Sequence, residues 1–189
     1  MKVLLIHGLG RTSFSMFSFE QRLRQIGWEP EHFSYAAFLE SYDLIVERLQ
    51  QRFQALAAEG SFGVVAHSLG GLLTRSVLAV SDRIQPCHVV MLGTPNRQPR
   101  LATYAWKVPI FQWFAGQCGS NLANPDFFMQ LPVLQSPYTI IAGTQGPRGL
   151  LSPFGEDIND GIVAVQETRL SEGDRVIELP VYHTFMMNS

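Results

Sequence analysis

Only two cysteines, Cys87 and Cys118, occur in 189 residues. Two thiols cannot staple a disulfide scaffold, and their spacing fits no zinc motif, so both read as idle or buried groups. Charge is scarce as well: Asp, Glu, Lys and Arg make up 16% of the chain and the formal net charge is −2. A polyanion partner demands a basic excess, so no nucleic acid is expected here. No apolar run approaches the roughly 20 residues of a membrane span, and there is no internal repeat or low-complexity tract. Met1-Lys2 runs straight into Val3–Ile6 and then a glycine turn. That apolar run is too short for the core of a signal peptide, and the expectation is a cytoplasmic protein. What is plentiful is apolar side chain, 46% of residues, enough for one substantial core in a single domain spanning residues 1–189.

The chain alternates short, continuously apolar runs with amphipathic ones. Val3 to Ile6, Glu29 to Tyr35, the run ending at Val64-Val65, Cys87 to Leu92, Tyr138 to Ala142 and Arg175 to Leu179 read as strands. Helices are expected from Thr12 or Ser13 to about Ile26, from Ser41 to Glu59, after Ser68 through Leu78, and from Asn121 to Leu131. In the second of these, Leu44, Ile45, Arg48, Leu49, Arg52, Phe53 and Leu56 form a mixed face that should pack on the sheet. Strands buried on both faces and alternating with helices predict an α/β fold with a parallel sheet, whose site lies past the strand C-termini. The alternation breaks only between Asn96 and Pro137. There Trp106, Ile110, Phe111 and Trp113 crowd around Pro109. Two readings fit: a buried connecting helix, or an insertion at 96–137 that acts as a lid and meets an acyl chain.

The organising stretch is Phe62 to Gly71. An apolar strand stops at Ala66-His67-Ser68-Leu69-Gly70-Gly71 and a helix follows. A sharp strand-to-helix elbow lifts a serine hydroxyl clear of the sheet, and small residues two positions either side, Ala66 and Gly70, let strand and helix pass. The bland alternative is a serine helix cap. A serine nucleophile needs a base, an anion to orient the base, and donors for the oxyanion. His183, just past the last strand, fits the base better than His7, His32, His67 or His88, and His67 should point away from the site. Asp160 in Asn159-Asp160-Gly161-Ile162-Val163 fits the acid, with Glu156 and Asp157 near enough to substitute. As a calcium loop that segment fails, because Gly161 falls where an oxygen ligand is needed, and no metal is expected. The N–H groups of Leu69 and Leu9 suit the oxyanion, and His7 then stabilises the first turn.

His7-Gly8-Leu9-Gly10, Ala66-His67-Ser68-Leu69-Gly70-Gly71, Leu92-Gly93-Thr94-Pro95, Asn159-Asp160-Gly161-Ile162-Val163 and Tyr182-His183 occur in the order found in α/β-hydrolases. From Val3 to His183 the chain resembles their small bacterial lipase and esterase branch, with Ala66 in place of the first glycine of G-x-S-x-G. The resemblance implies a minimal fold of about six strands and a serine hydrolase with Ser68 as nucleophile, Asp160 as acid and His183 as base. Leu9 and Leu69 would form the oxyanion hole, and no cofactor is implied. Relatives continue into a helix after the histidine, whereas residues 183–189 suffice for a turn or two, so the last strand is expected to lie partly uncovered or to be covered by a neighbouring molecule. The substrate would be a small-molecule ester or lipid with an apolar acyl group, held by Trp106, Ile110, Phe111 and Trp113, whose crowding also suggests peripheral membrane contact. The same triad serves thioester cleavage and acyl transfer. A non-catalytic binding module on the same fold is the remaining reading.

Overall fold

The computed structural model describes residues 1–81, 84–106 and 109–188, with backbone alone for 109–115. Among them, six strands build one sheet in the order β2-β1-β3-β4-β5-β6, and every pairing is parallel. They are β1 Lys2–Ile6, β2 Glu29–Phe33, β3 Phe62–His67, β4 His88–Leu92, β5 Tyr138–Gly143 and β6 Val176–Leu179. Parallel neighbours require long crossovers, supplied mainly by α1 Phe17–Gln25, α2 Tyr42–Glu59 and α3 Leu69–Ala79. Between β4 and β5 lie α4 Arg100–Ala105, α5 Pro109–Ala123 and α6 Pro125–Gln130. The α/β reading therefore holds, with six parallel strands. No helix among the described residues is long and apolar enough to cross a membrane.

Both sheet faces are covered, as the unbroken apolar strands require. In β1, Leu4 and Ile6 join a core with Ile45, Leu49 and Phe53 of α2 and Leu72 of α3. Val3 and Leu5 face the other way, onto Met16, Leu23, Met186 and Met187. Phe53 meets Phe62 edge-on at 5.4 Å, both fully buried. Losing either ring would cost about 3–5 kcal/mol.

Ser41 caps α2 by accepting the Leu44 N–H at 3.3 Å. The stripe that packs is Ile45, Leu49, Phe53 and Leu56, while Leu44 stays 46% exposed. Arg48 and Arg52 leave the helix sideways to pair with Glu40 and Glu31, so the packing face is narrower than the mixed face expected.

Three further departures are local. The first helix opens with a 3-10 turn, Ser13–Met16, before α1. The helix expected over Asn121–Leu131 is two elements, because Asn124 leaves helical geometry and accepts the Asp126 N–H while Pro125 starts α6. Helix α5 begins at Pro109 and bends at Gly116, whose φ is +53°. At the far edge, Ile177 of β6 is 46% exposed. The C-terminal segment folds as a 3-10 turn, His183–Asn188, and buries Met186 and Met187 beside β1 and β3.

Candidate active site

Strand order reverses between β1, which continues outward to β2, and β3, which continues the other way through β4 to β6. Loops leaving the carboxyl ends of two such strands diverge and open a crevice. The loop after β1 carries Gly8 and Leu9, and the loop after β3 is Ser68 alone. Ser68 has φ 52° and ψ −119° and is the one non-glycine residue with positive φ among the described residues. Such backbone costs of order 1–3 kcal/mol and is held by its surroundings. The Ser68 N–H donates to the Leu92 carbonyl at 2.9 Å, and its own carbonyl accepts from Gly71 N–H at 3.0 Å. A Cβ on Gly70 would stand 2.7 Å from the Ile6 carbonyl oxygen. Only glycine lets α3 start this close to β1, so the small-residue rule at the elbow is a backbone contact here.

Asp160 is buried and its carboxylate is fully used. Oδ1 accepts the N–H groups of Ile162 at 2.9 Å and Val163 at 2.7 Å, and Oδ2 lies 2.7 Å from Nδ1 of His183. The His183 N–H donates to the Asp160 carbonyl at 2.9 Å. Backbone and side chain of the histidine loop are thus both tied to the acidic turn. Asp157 points elsewhere, pairing with Arg100 at 2.5 Å.

His67, expected to point away from the site, is buried and lines the same cleft as Ser68 and His183. Its Nε2–H donates to the His183 carbonyl at 3.1 Å, and the two rings lie 4.7 Å apart. Nδ1 has no hydrogen-bond partner, and a Cβ on Gly8 would come within 2.7 Å of it and 3.0 Å of Ser68 Cβ. Burial, followed by the neighbouring charge of His183, holds the His67 imidazole well below the usual histidine range. One neutral ring therefore packs between the Gly8 turn, the serine elbow and the histidine loop. His7 braces the first turn similarly: Nδ1 donates to Gly8 carbonyl at 3.0 Å, its ring stacks on Tyr35 at 4.1 Å, and burial lowers its pKa.

Ser68 and His183 line one cleft of about 280 Å³. Its remaining wall is mostly apolar, with Leu9, Ile162 and Val163 from the strand-end loops, Leu101, Ala102 and Ala105 from α4 and Leu122 from α5, and is polar at Arg11, His67 and Thr184. The insertion thus contributes a wall, through α4 residues that the sequence reading did not single out. They are small or aliphatic and sit beside the conspicuous Trp106, which is half-buried at the end of α4 and is not among the described lining residues. The side chains of Ile110, Phe111 and Trp113 lie outside the described residues. Among the described residues, no three His, Cys, Asp or Glu side chains could together hold a metal ion.

Arg100 fixes α4 to the acidic segment. Its Nε and backbone N–H both donate to Glu167 Oε1, at 3.1 and 3.0 Å, while Glu167 Oε2 accepts the Ala164 N–H at 2.9 Å. No sequence signal marked this tether, because an arginine and a glutamate 67 residues apart carry no local pattern.

No family model matches the chain, and no curated protein matches it by sequence. Solved structures do. Phospholipase PlaB from Legionella pneumophila superposes with a TM-score of 0.67 at 18% identity, over 90% of this chain and 46% of PlaB, so this chain spans about half of that protein's length. An esterase from Exiguobacterium antarcticum gives 0.68 at 13% identity, over 100% of this chain and 87% of the esterase. The RedJ thioesterase of Streptomyces coelicolor gives 0.61 at 15% identity, over 100% and 84%. At these identities the likeness is one of architecture, and with the parallel six-stranded sheet and its serine elbow it identifies this chain as bearing the α/β-hydrolase fold.

Proposed function

We propose that the chain is a serine hydrolase that cleaves carboxylic esters with an apolar acyl group. The observation that carries this reading is a histidine hydrogen-bonded to a buried aspartate in the wall of the same apolar cleft as a serine on strained backbone. In the reaction, Ser68 Oγ attacks the ester carbonyl while His183 Nε2 takes its proton. Asp160 holds the Nδ1–H tautomer and offsets the positive charge that forms on the ring. The oxyanion is met by the N–H groups of Leu69, at the start of α3, and Leu9. Each such donor is worth about 10²- to 10³-fold in rate. The protonated His183 then gives its proton to the departing alkoxide. Water, deprotonated by the same ring, releases the acid from the acyl-enzyme.

The acyl chain lies along Leu101, Ala102, Ala105 and Leu122, where only apolar surface meets it. The test is Ser68→Ala against para-nitrophenyl esters of increasing acyl length, with fluorophosphonate labelling of the wild-type protein. We expect labelling at Ser68 and a loss of at least about 10⁴-fold in kcat in the variant. Wild-type protein that neither labels nor turns over any ester, or a variant with undiminished turnover, refutes the assignment.

A further inference from the structure

The described side chains lining the cleft include one permanent charge, Arg11. The same residue lines a second groove, of about 380 Å³, where it is again the sole charged residue among those described, alongside Phe14, Phe17 and Phe185. Arg11 and Thr184 are common to both, so they form the ridge between cleft and groove. The phenyl rings of Phe14 and Phe17 stack at 5.7 Å and are 79% and 46% exposed.

Arg11 is half-buried without being paired as several other arginines are. Arg24, Arg48, Arg52 and Arg100 pair with carboxylates, and Arg75 spends its donors on the carbonyls of Asn96, Leu131 and Pro132. Arg11 makes no ion pair among the described residues, and its hydrogen bond to the Thr184 carbonyl is long, 3.4 Å. A guanidinium carries five N–H donors in a planar fork suited to phosphate or carboxylate. This one is half-buried, two residues past Leu9, with most of that capacity unspent.

We propose that Arg11 recognises an anionic oxygen group on the alcohol portion of the substrate. This rests on the ester-hydrolase reading above. The preferred ester is then an amphiphile with two unlike arms. Its acyl chain fills the apolar cleft. Its alcohol portion passes over the Arg11–Thr184 ridge toward the phenylalanine groove, carrying a phosphate or carboxylate that the guanidinium binds through charge-assisted hydrogen bonds. An arginine that only covered apolar surface with its stem would be indifferent to substrate charge.

The test compares hexanoate esters of phenol, para-hydroxybenzoate and para-hydroxyphenyl phosphate. Wild-type protein should favour at least one anionic ester over phenyl hexanoate by about tenfold in kcat/KM, as expected for a hydrogen bond to a charged group. The larger gain tells phosphate from carboxylate. That preference should vanish in Arg11→Gln, persist in part in Arg11→Lys, invert in Arg11→Glu and shrink as salt rises. Calorimetry with octyl phosphate on Ser68→Ala protein reads the same contact without turnover, and adding Arg11→Gln should weaken binding about tenfold. An unchanged octyl phosphate Kd, or an equal anionic preference in wild type and Arg11→Gln, overturns the proposal. Charge-dependent binding without hydrolysis of any ester supports the anion site and refutes the ester-hydrolase reading.

Discussion

The floor of the cleft and its roof are held in different ways. On the floor, Ser68 follows directly from β3 and its N–H is held by the Leu92 carbonyl of β4, while His67, Asp160 and His183 are tied to one another through His183 by hydrogen bonds of 2.7 to 3.1 Å. In the roof, Cys118 and Leu122 of α5 and Phe128 of α6 join the apolar core, but α4 buries none of its residues and is anchored through Arg100 and through Gln98, which donates to the Ala123 carbonyl at 2.7 Å. Reactive groups placed by a sheet inherit its rigidity, whereas a wall hung on a few polar contacts sets the shape of the apolar space. Chemistry and substrate fit should therefore respond to different substitutions.

The largest effect is expected on the floor. Asp160→Asn keeps the shape of the turn but favours the wrong imidazole tautomer, and kcat should fall about 10³- to 10⁴-fold with KM little altered. Steady-state kinetics on a short para-nitrophenyl ester checks this. A large rise in KM instead would mean that the turn also shapes the cleft. The roof should show the opposite split. Ala102→Phe or Ala105→Phe narrows the cleft, so KM should rise about tenfold for long acyl chains and much less for short ones, a shift in chain-length profile rather than in maximal rate.

The smallest effect separates the floor's packing from its chemistry. Burial lowers the His7 pKa and holds that of His67 well below the usual histidine range, so both folded values lie below the unfolded value near 6.5. The unfolded chain then binds more protons than the folded one, and stability is lost as pH falls below about 6.5, by up to about 1.4 kcal/mol per pH unit for each ring. Urea midpoints between pH 7.5 and 5 should fall, and more gently in His67→Gln, whose amide donor can still reach the His183 carbonyl. A wild-type midpoint flat over that range would contradict the buried neutral rings.

The floor was also the legible part of the chain. Strands buried on both faces must be apolar throughout, so β1, β3, β4 and β5 announce themselves, and the turn residues beyond them expose the site. Ser68, Asp160 and His183 carry signals of that kind: a serine between small residues, an aspartate backed by a glycine, a histidine past the last strand. The roof was not legible in the same way. The aromatic crowding around Trp106 drew the expectation of an acyl-binding surface, while the described wall comes from Leu101, Ala102 and Ala105. Small side chains leave no mark on a sequence, because what they contribute is space. Nor could position alone reveal that His67 reaches the His183 carbonyl across 116 residues, or that Asn124 divides two helices where the apolar pattern ran on.

The backbone at Ser68 carries one more consequence. A left-handed residue with a side chain is a standing tax on thermal endurance, and glycine would lift it. On the hydrolase reading proposed above, a descendant relieved of that turnover would be free to drift toward glycine at that bend, becoming hardier as it falls silent. Inert relatives should betray themselves at this position before anywhere else in the sheet.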